Sequence, residues 1–300
     1  MQTIYFQNIP EMDEIDDFFN TIEDLQYHQK IITNGLEMMK DISEIEAVFL
    51  MGSLALEIGD IFSDIDFYLM YKKVDDIEKI KSKIFSRINK VGSIIHIFNS
   101  NANPKDIILY FRPYVKLELA FRTFETISNK WKIANSSKLL FDRNGLGKEA
   151  IKTAKKISFN LNRYEREIKN IAIALPSFCY NIAGYMIRGE FITSIDFVAW
   201  IRRVLMRISG FLLGMWDEGT RKAEKRFPEE LINYYHLCRV KELDEIWQCL
   251  EVFLTWYSNW LVPKFEERKI PHALAEVELI RKILSKLRKK YDLKKQNISI

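Results

Sequence analysis

GSLALEIGDIFSDIDF, residues 52–67, is the stretch that decides the fold of this chain. Hydrophobic runs flank it on both sides, AVFLM directly before Gly52 and FYLMY from Phe67 onward. The pattern predicts a strand over residues 46–51, a turn that begins with Gly-Ser, a short excursion, and a second strand over residues 64–71. The polar side chains of the second strand are its unusual feature.

Two aspartates lie on that second strand. Side chains on a strand point alternately to its two faces, so Asp64 and Asp66 share one face while Ile65 and Phe67 point into the core. Two carboxylates about 7 Å apart along one strand repel each other unless a cation lies between them. The sequence therefore predicts a divalent-metal site at Asp64 and Asp66.

The Gly-Ser turn is a candidate phosphate site. Glycine allows a close approach between the backbone and a ligand, and the N–H groups and the hydroxyl of Ser53 can donate to phosphate oxygens. A phosphate site at Gly52 and Ser53, next to paired aspartates on a strand, is typical of nucleotidyl transfer.

A third acid lies on a later strand-like run, YVKLELAF, residues 114–121. Alternation places Lys116 and Glu118 on one face and the apolar residues on the other. A two-metal site needs a further carboxylate from a neighbouring strand, as a metal ligand or as a base. A surface acid paired with Lys116 is the plainer interpretation of Glu118, but beside Asp64 and Asp66 the functional interpretation is favoured.

The rest of the first half predicts an α+β arrangement. Helical spacing indicates one or two amphipathic helices over residues 13–42 and another over residues 75–90. Strand-like runs separated by turns follow, at residues 93–98, 106–111, 114–121 and 138–145.

The second half predicts helices alone. They are expected at about residues 148–175, 177–188, 194–214, 228–236, 241–262 and 271–291, separated by breakers such as Pro176 and Pro263. We therefore expect a catalytic domain over residues 1–147, with a mixed sheet and helices, and an all-α helical bundle over residues 148–300.

The composition sets the class of protein. Hydrophobic residues make up 48% of the 300 residues and charged residues 29%, which is typical of a globular chain with ample core. Cys179, Cys238 and Cys249 form no CxxC pair, which argues against a disulfide framework or a zinc site. No apolar run is expected to span a membrane, and the acidic N-terminus does not resemble a signal peptide, so we expect a cytoplasmic protein.

Charge is distributed unequally along the chain. Residues 1–150 hold 18 basic and 23 acidic side chains, whereas residues 151–300 hold 27 and 18. The basic end, residues 280–296, is compatible with nucleic-acid binding or with a solvated helix face. The solvated face is favoured because no aromatic residues alternate with these charges, and we expect no nucleic-acid partner.

Residues 45–145 resemble the polymerase-β-type nucleotidyltransferase superfamily. The resemblance rests on Gly52-Ser53, Gly59-Asp60, the SDIDF run from Ser63, and the later acid Glu118. The form GS-x5-GD-x2-SDIDF with a downstream helical domain is most similar to the two-domain lincosamide nucleotidyltransferases and, more distantly, to the aminoglycoside adenylyltransferases.

That resemblance implies transfer of a nucleoside monophosphate from an NTP to a hydroxyl of a small molecule, with release of pyrophosphate. Gly52 and Ser53 would hold the triphosphate, Asp64 and Asp66 would bind Mg²⁺ in a two-metal site, and Glu118 would be the base or a further metal ligand. ATP binding and antibiotic resistance follow as expectations, and the sequence names neither the acceptor nor the NTP.

One position departs from the family pattern. Many relatives carry a basic residue and a second glycine soon after Gly-Ser, but here the sequence continues Leu54-Ala55-Leu56-Glu57. Another cation would have to replace that positive charge, and four basic side chains are candidates, namely Lys72, Lys73, Arg112 and Arg122.

We expect the acceptor to bind between the two domains, because ligand sites favour domain interfaces. Polar and aromatic residues of the predicted helices are candidates for its pocket, although core packing explains them equally well: Tyr180, Tyr185, Glu190, Asp196 and Trp200. The aromatic helix around Trp256 is compatible with a homodimer or with core packing.

Other classes share the same acids. An antitoxin-type regulatory protein, a protein-modifying nucleotidyltransferase and a template-independent RNA polymerase all remain as alternatives. The helical ribonuclease partner of such antitoxins often carries an Arg-x4–6-His motif. This spacing does not occur before His236 or His272, so the second half does not resemble that ribonuclease. The acidic first half argues against the polymerase.

Overall fold

The computed structural model describes residues 8–20, 22–73 and 76–298. It divides into two compact units, Met1–Ser158 and Phe159–Ile300. The first unit therefore extends beyond residue 147, since helix α7 (Leu146–Ala154) packs through Ala150 and Ala154 into one cluster with Ala47 of the sheet. The roles expected for the two domains stay predictions.

The first unit is built on a six-stranded mixed sheet in the order β3-β4-β5-β2-β1-β6. The strands are β1 (Ile45–Met51), β2 (Ile65–Tyr71), β3 (Ile94–Asn99), β4 (Ile107–Phe111), β5 (Val115–Arg122) and β6 (Ser137–Asp142). β2 and β5 pair in parallel, and the other described pairs are antiparallel. The mixed sheet confirms the expected fold class, and no strand boundary differs from the predicted one by more than three residues.

Seven helices surround the sheet in the described part of this unit. They are α1 (Met12–Phe19), α2 (Gln26–Lys40), α3 (Gly52–Ala55), α4 (Asp76–Phe85), α5 (Phe124–Ser128), α6 (Trp131–Asn135) and α7. The predicted helix over residues 75–90 ends at Phe85 and is followed by a short 3₁₀ turn, and Asp75 lies outside the described residues. The sequence reasoning did not predict α5 and α6, which are only five residues long.

The two faces of the sheet are covered to different extents. Ile65, Phe67 and Leu117 belong to a core cluster that includes residues of α1, α2 and α4. On the opposite face, α5, α6 and α7 pack against β1 through Ala47 and Phe49. Asp66 and Tyr68 of β2, like Lys116 and Glu118 of β5, remain half-buried on this second face, so its open part lies over these residues.

The second unit is all helical, as predicted. Its helices are α8 (Glu165–Arg188), α9 (Phe191–Leu212), α10 (Ala223–Arg226), α11 (Glu229–Leu237), α12 (Glu245–Trp256), α13 (Val262–Glu267) and α14 (Leu274–Ile298). A π-helical turn, Tyr257–Leu261, joins α12 to α13 without a break. The helix therefore continues past Pro263, which lies just after this π-helical turn, at the start of α13.

Helix α8 also continues through a proline, so the prediction that Pro176 separates two helices was wrong. Proline has no N–H for the carbonyl four residues before it, here that of Ala172. The backbone N–H of Ala273 donates to this carbonyl at 3.0 Å, and the hydroxyl of Tyr257 donates to it as well. These tertiary donors replace the missing helical hydrogen bond, which a local sequence pattern cannot reveal.

One described helix departs from the expectation about membrane spans. Residues 161–188 are long and apolar enough to cross a bilayer by length and composition. Leu175, Cys179 and Ile182 of this helix are fully buried in the core of the second unit. A core helix satisfies the same criterion, and packing in this protein accounts for its apolar character.

Candidate active site

The structure brings Asp66 and Glu118 together. They are direct register partners on the parallel strands β2 and β5. Ile65 and Phe67 are fully buried on the other face, so the predicted alternation is present. Asp64 directly precedes β2 rather than lying inside it, and it remains on the open side, half-buried.

Gly52 begins the short helix α3 directly after β1. Its φ of 74° lies in the left-handed region, which glycine adopts without strain. A Cβ at this position would lie 3.5 Å from Oδ2 of Asp66, so the backbone passes close to the acid. The N–H of Gly52 already donates to the carbonyl of Ser136 at 2.9 Å, and the phosphate contacts expected for Gly52 and Ser53 stay predictions.

A hydrogen-bond network joins the Gly-Ser segment to the SDIDF run. The hydroxyl of Ser53 donates to that of Ser63 at 3.0 Å, and Ser63 donates in turn to Oδ1 of Asp60. The backbone N–H of Asp60 also donates to the Ser63 hydroxyl, at 3.1 Å. Asp60 and Ser63 therefore act together to fix the position of Ser53 relative to the following acids.

His28 supports this network from α2. Its Nε2 lies 3.0 Å from the carbonyl oxygen of Ser63. Burial lowers the pKa of His28 and outweighs the opposing effects of this hydrogen bond and of the Asp60 and Asp64 charges. The imidazole is therefore neutral at pH 7 and donates to the Ser63 carbonyl from Nε2.

Lys116 lies among the acids. Its Nζ is 2.7 Å from Oδ2 of Asp64 and 4.0 Å from Oε2 of Glu118. Burial lowers the pKa of this ammonium, but the hydrogen bond to Asp64 and the charges of Asp64, Glu118 and Asp66 outweigh burial, and the net pKa is raised. The sequence pattern placed Lys116 on the face of Glu118, but the contact with Asp64 depends on the parallel pairing of β5 with β2, which we did not predict.

The donor chemistry of the acids suits a hard divalent cation such as Mg²⁺, which prefers carboxylate oxygens. Asp64 already binds a cationic group, the ammonium of Lys116, which shows that its oxygens face a position suited to positive charge. Among the described residues, no three His, Cys, Asp or Glu side chains are grouped closely enough to hold a metal ion. The metal-binding role expected for Asp64, Asp66 and Glu118 therefore stays a prediction.

Most of the predicted replacement cations are engaged elsewhere. Lys72 pairs with Glu46 at 3.0 Å, and Arg122 pairs with the buried Asp106 at 2.5 Å.

Arg112 donates from Nε to Glu14 at 2.8 Å. The remaining candidate, Lys73, is exposed. Lys116 is thus a cation that the structure places next to Asp64 and Glu118, and it was absent from our predicted set.

The predicted acceptor residues of the second unit have ordinary structural contacts. Arg188 contacts both Glu190, at 2.5 Å, and the ring of Tyr185. Trp200 packs edge-on against Phe178. Asp196 and Tyr180 are exposed. Their role in acceptor binding stays a prediction.

Trp256 is fully buried and stacks on Tyr234. Core packing accounts for the aromatic helix, which therefore no longer argues for a homodimer.

The fold and the arrangement of acids define a nucleotidyltransferase. The model of the streptomycin adenylyltransferase family matches residues 25–261, most of the chain, and the chain belongs to that family. The resemblance to antibiotic nucleotidyltransferases is thereby confirmed, whereas the lincosamide subgroup stays a prediction. No curated protein sequence matches the chain significantly.

Several solved structures match much of the chain, with low TM-scores. An aminoglycoside 6-adenyltransferase from Bacillus subtilis is 15% identical, with 87% of this chain and 97% of that chain covered and a TM-score of 0.39. A nucleotidyltransferase-like protein from Exiguobacterium sibiricum is 14% identical, with 79% of this chain and 77% of that chain covered and a TM-score of 0.39.

Spectinomycin adenyltransferase AAD(9) from Enterococcus faecialis, with ATP and spectinomycin, is 10% identical. The match covers 88% of this chain and 100% of that chain, with a TM-score of 0.32. Because these scores are low, the family assignment rests on the sequence match alone.

Proposed function

We propose that this protein transfers the nucleoside monophosphate of ATP to a hydroxyl of a small antibiotic of the aminoglycoside or lincosamide type, in the cytoplasm. Family membership supports the reaction type. The structural neighbours whose names include an aminoglycoside or spectinomycin agree with an antibiotic acceptor. The observation that carries the proposal is the row formed by Gly52, Asp66 and Glu118 across three adjacent strands.

That row follows from the strand order. Gly52 comes directly after β1, Asp66 lies on β2, and Glu118 lies opposite Asp66 on β5. Phosphoryl-type transfer requires the attacking and departing oxygens to lie roughly in line on opposite sides of the reacting phosphorus. The pyrophosphate of a triphosphate held beside Gly52 and Ser53 would then leave toward β1, while the acceptor approaches the α-phosphorus from the side of β5.

In this proposal Glu118 acts as the base. The acceptor oxygen forms a bond to the α-phosphorus, its proton passes to Glu118, and the bond to the β-phosphate breaks as pyrophosphate leaves with the electron pair. Asp64 and Asp66 would hold Mg²⁺ on the β1 side of Glu118. A bound Mg²⁺ would neutralise phosphate charge and make pyrophosphate a better leaving group.

The face beyond Glu118 is suited to receive the acceptor. Ile108 of β4 pairs with Glu118. Tyr110, two residues further along β4 on the same face, pairs with Lys116. Tyr110 is a diagonal neighbour of Glu118, and such pairs lie about 7–8 Å apart, so a ring resting on Tyr110 would extend toward the base. The half-buried Tyr110 offers an aromatic surface for a ring of the acceptor.

A pyrophosphate-release assay tests the proposal. The chain is incubated with Mg²⁺ and each NTP against a panel of aminoglycosides, lincosamides and spectinomycin, and the product is identified by mass spectrometry. Asp66→Asn should abolish release, whereas Asp41→Asn, which changes an exposed acid on the opposite side of the sheet, should not. Turnover that survives in Asp66→Asn at saturating Mg²⁺ contradicts the assignment. Nucleotide transfer to a protein or to RNA alone contradicts the small-molecule acceptor.

A further inference from the structure

Lys116 forms a strong contact that the proposed reaction does not use. The ammonium to Asp64 distance of 2.7 Å is typical of a charge-assisted hydrogen bond, and Glu118 lies 4.0 Å from the same nitrogen. The Lys116 side chain is only 21% exposed, so solvent screens this contact less than it would at the surface.

A divalent cation that binds Asp64 competes with this ammonium, which occupies Oδ2 of the carboxylate. Two like charges about 4 Å apart in a partly buried site repel each other by several kcal/mol. A cation that binds Asp64 together with Asp66 therefore favours release of Lys116 from that oxygen. Lysine is suited to such an exchange because its charge lies at the end of a flexible four-carbon chain.

We propose that Lys116 is an internal counter-ion of the acid cluster, which holds Asp64 until a metal–nucleotide complex binds and then transfers its ammonium to an oxygen of the nucleotide phosphates. This inference rests on the proposed function, because it takes the acids as the metal ligands. It assigns to Lys116 the positive charge that the sequence after Ser53 lacks.

Two observations support the transfer of the Lys116 ammonium to the nucleotide phosphates. Lys72, Arg112 and Arg122 are already paired with Glu46, Glu14 and Asp106. Lys116 lies on the face of the sheet that carries Asp66 and Glu118, so its ammonium stays beside the reacting groups after it leaves Asp64.

Binding measurements on Lys116→Met test the exchange without relying on turnover. Isothermal titration is carried out first with Mn²⁺ alone and then with Mg²⁺ and α,β-methylene-ATP, which cannot be cleaved at the reacting bond. We expect Mn²⁺ to bind about tenfold more tightly than to the unaltered chain, because its competitor is gone. The nucleotide should bind about tenfold more weakly, because one charge-assisted hydrogen bond is lost.

Opposite shifts in the two affinities are the signature of the exchange. A purely structural role of Lys116 would weaken both affinities, and this outcome overturns the inference, as does an unchanged Mn²⁺ affinity. Lys116→Arg keeps the charge and should leave Mn²⁺ binding within about threefold of the unaltered chain. Lys40→Met removes an exposed lysine paired with Glu37 and should change neither affinity.

Asp66→Asn separates this inference from the proposed function. If Mn²⁺ binds the unaltered chain and not Asp66→Asn, the metal assignment stands and Lys116→Met alone decides the inference. If Asp66→Asn binds Mn²⁺ as well as the unaltered chain does, the acids are not the ligands and both proposals fail.

Discussion

Asp66 and Glu118 face each other on the parallel pair β2 and β5, although 51 residues of chain separate them. Parallel pairing of neighbouring strands brings the two carboxylates onto one face of the sheet at the strand spacing of about 4.8 Å. On the same face, Lys116 is bonded to Asp64. The candidate site is thus a small acid cluster with its own cation.

Glu118→Gln should separate catalysis from binding. If Glu118 is the base, the variant keeps Mg²⁺ and nucleotide affinity within about threefold, while kcat falls by roughly 10²- to 10⁴-fold. Titration calorimetry and a pyrophosphate assay measure the two quantities on the same protein. A loss of metal affinity equal to that in Asp66→Asn would instead make Glu118 a metal ligand.

The sequence predicted which side chains of a strand share a face, but not which strands are neighbours. Alternation along a strand is local, so the shared face of Asp64 and Asp66, and of Lys116 and Glu118, followed from the residues themselves. The pairing of Asp66 with Glu118 and of Asp64 with Lys116 depends on strand order, which local patterns do not contain. The same limit explains why α8 was predicted to end near Pro176, since the donors to Ala172 come from distant segments.

Gly52→Ala should weaken nucleotide binding through the backbone. A Cβ at φ 74° costs about 1 kcal/mol, and relief of that strain would move the segment next to Asp66. Gly145→Ala is a matched control, because φ there is 80° and the added Cβ meets no atom within 4 Å. We expect equal losses of stability in thermal melts, and a loss of nucleotide affinity in Gly52→Ala only. Equal nucleotide affinities would show that Gly52 has no special role at the site.

Tyr110→Ser should affect the acceptor and not the nucleotide. Loss of an aromatic contact predicts a rise of about threefold to tenfold in the KM for the antibiotic, with unchanged affinity for Mg²⁺–nucleotide. Tyr27→Ser, which alters a tyrosine of α2 that packs on Phe18, serves as the control. An unchanged acceptor KM in Tyr110→Ser would place the acceptor away from β4.

Glu44 should make the first unit sensitive to acid. Hydrogen bonds from Lys79 and Lys83 lower the pKa of this carboxyl from 4.5 to about 2. A lowered pKa adds stability that is present above pH 4.5 and is lost as the pH falls from 4.5 toward 2. Both lysines are partly exposed, so Glu44→Gln should cost only about 1 kcal/mol at pH 7. Hydrogen exchange of the β1 amides at pH 7, 4 and 2.5 should show the difference shrinking with acid, and a constant difference would contradict the ion pairs.

The Tyr257 hydroxyl should stabilise the second unit because Pro176 leaves the Ala172 carbonyl without its helical donor. The Tyr257 hydroxyl donates to the Ala172 carbonyl that the proline leaves without its helical partner, and burial raises the pKa of this phenol to about 12, so it stays a donor. Tyr257→Phe should cost about 1–2 kcal/mol by hydrogen exchange of α8, because a buried acceptor loses one of its donors. Pro176→Ala returns an N–H to that carbonyl, and in this background the cost of Tyr257→Phe should fall by at least about 0.5 kcal/mol. Strictly additive effects in this double-mutant cycle would show that the two residues do not share the carbonyl.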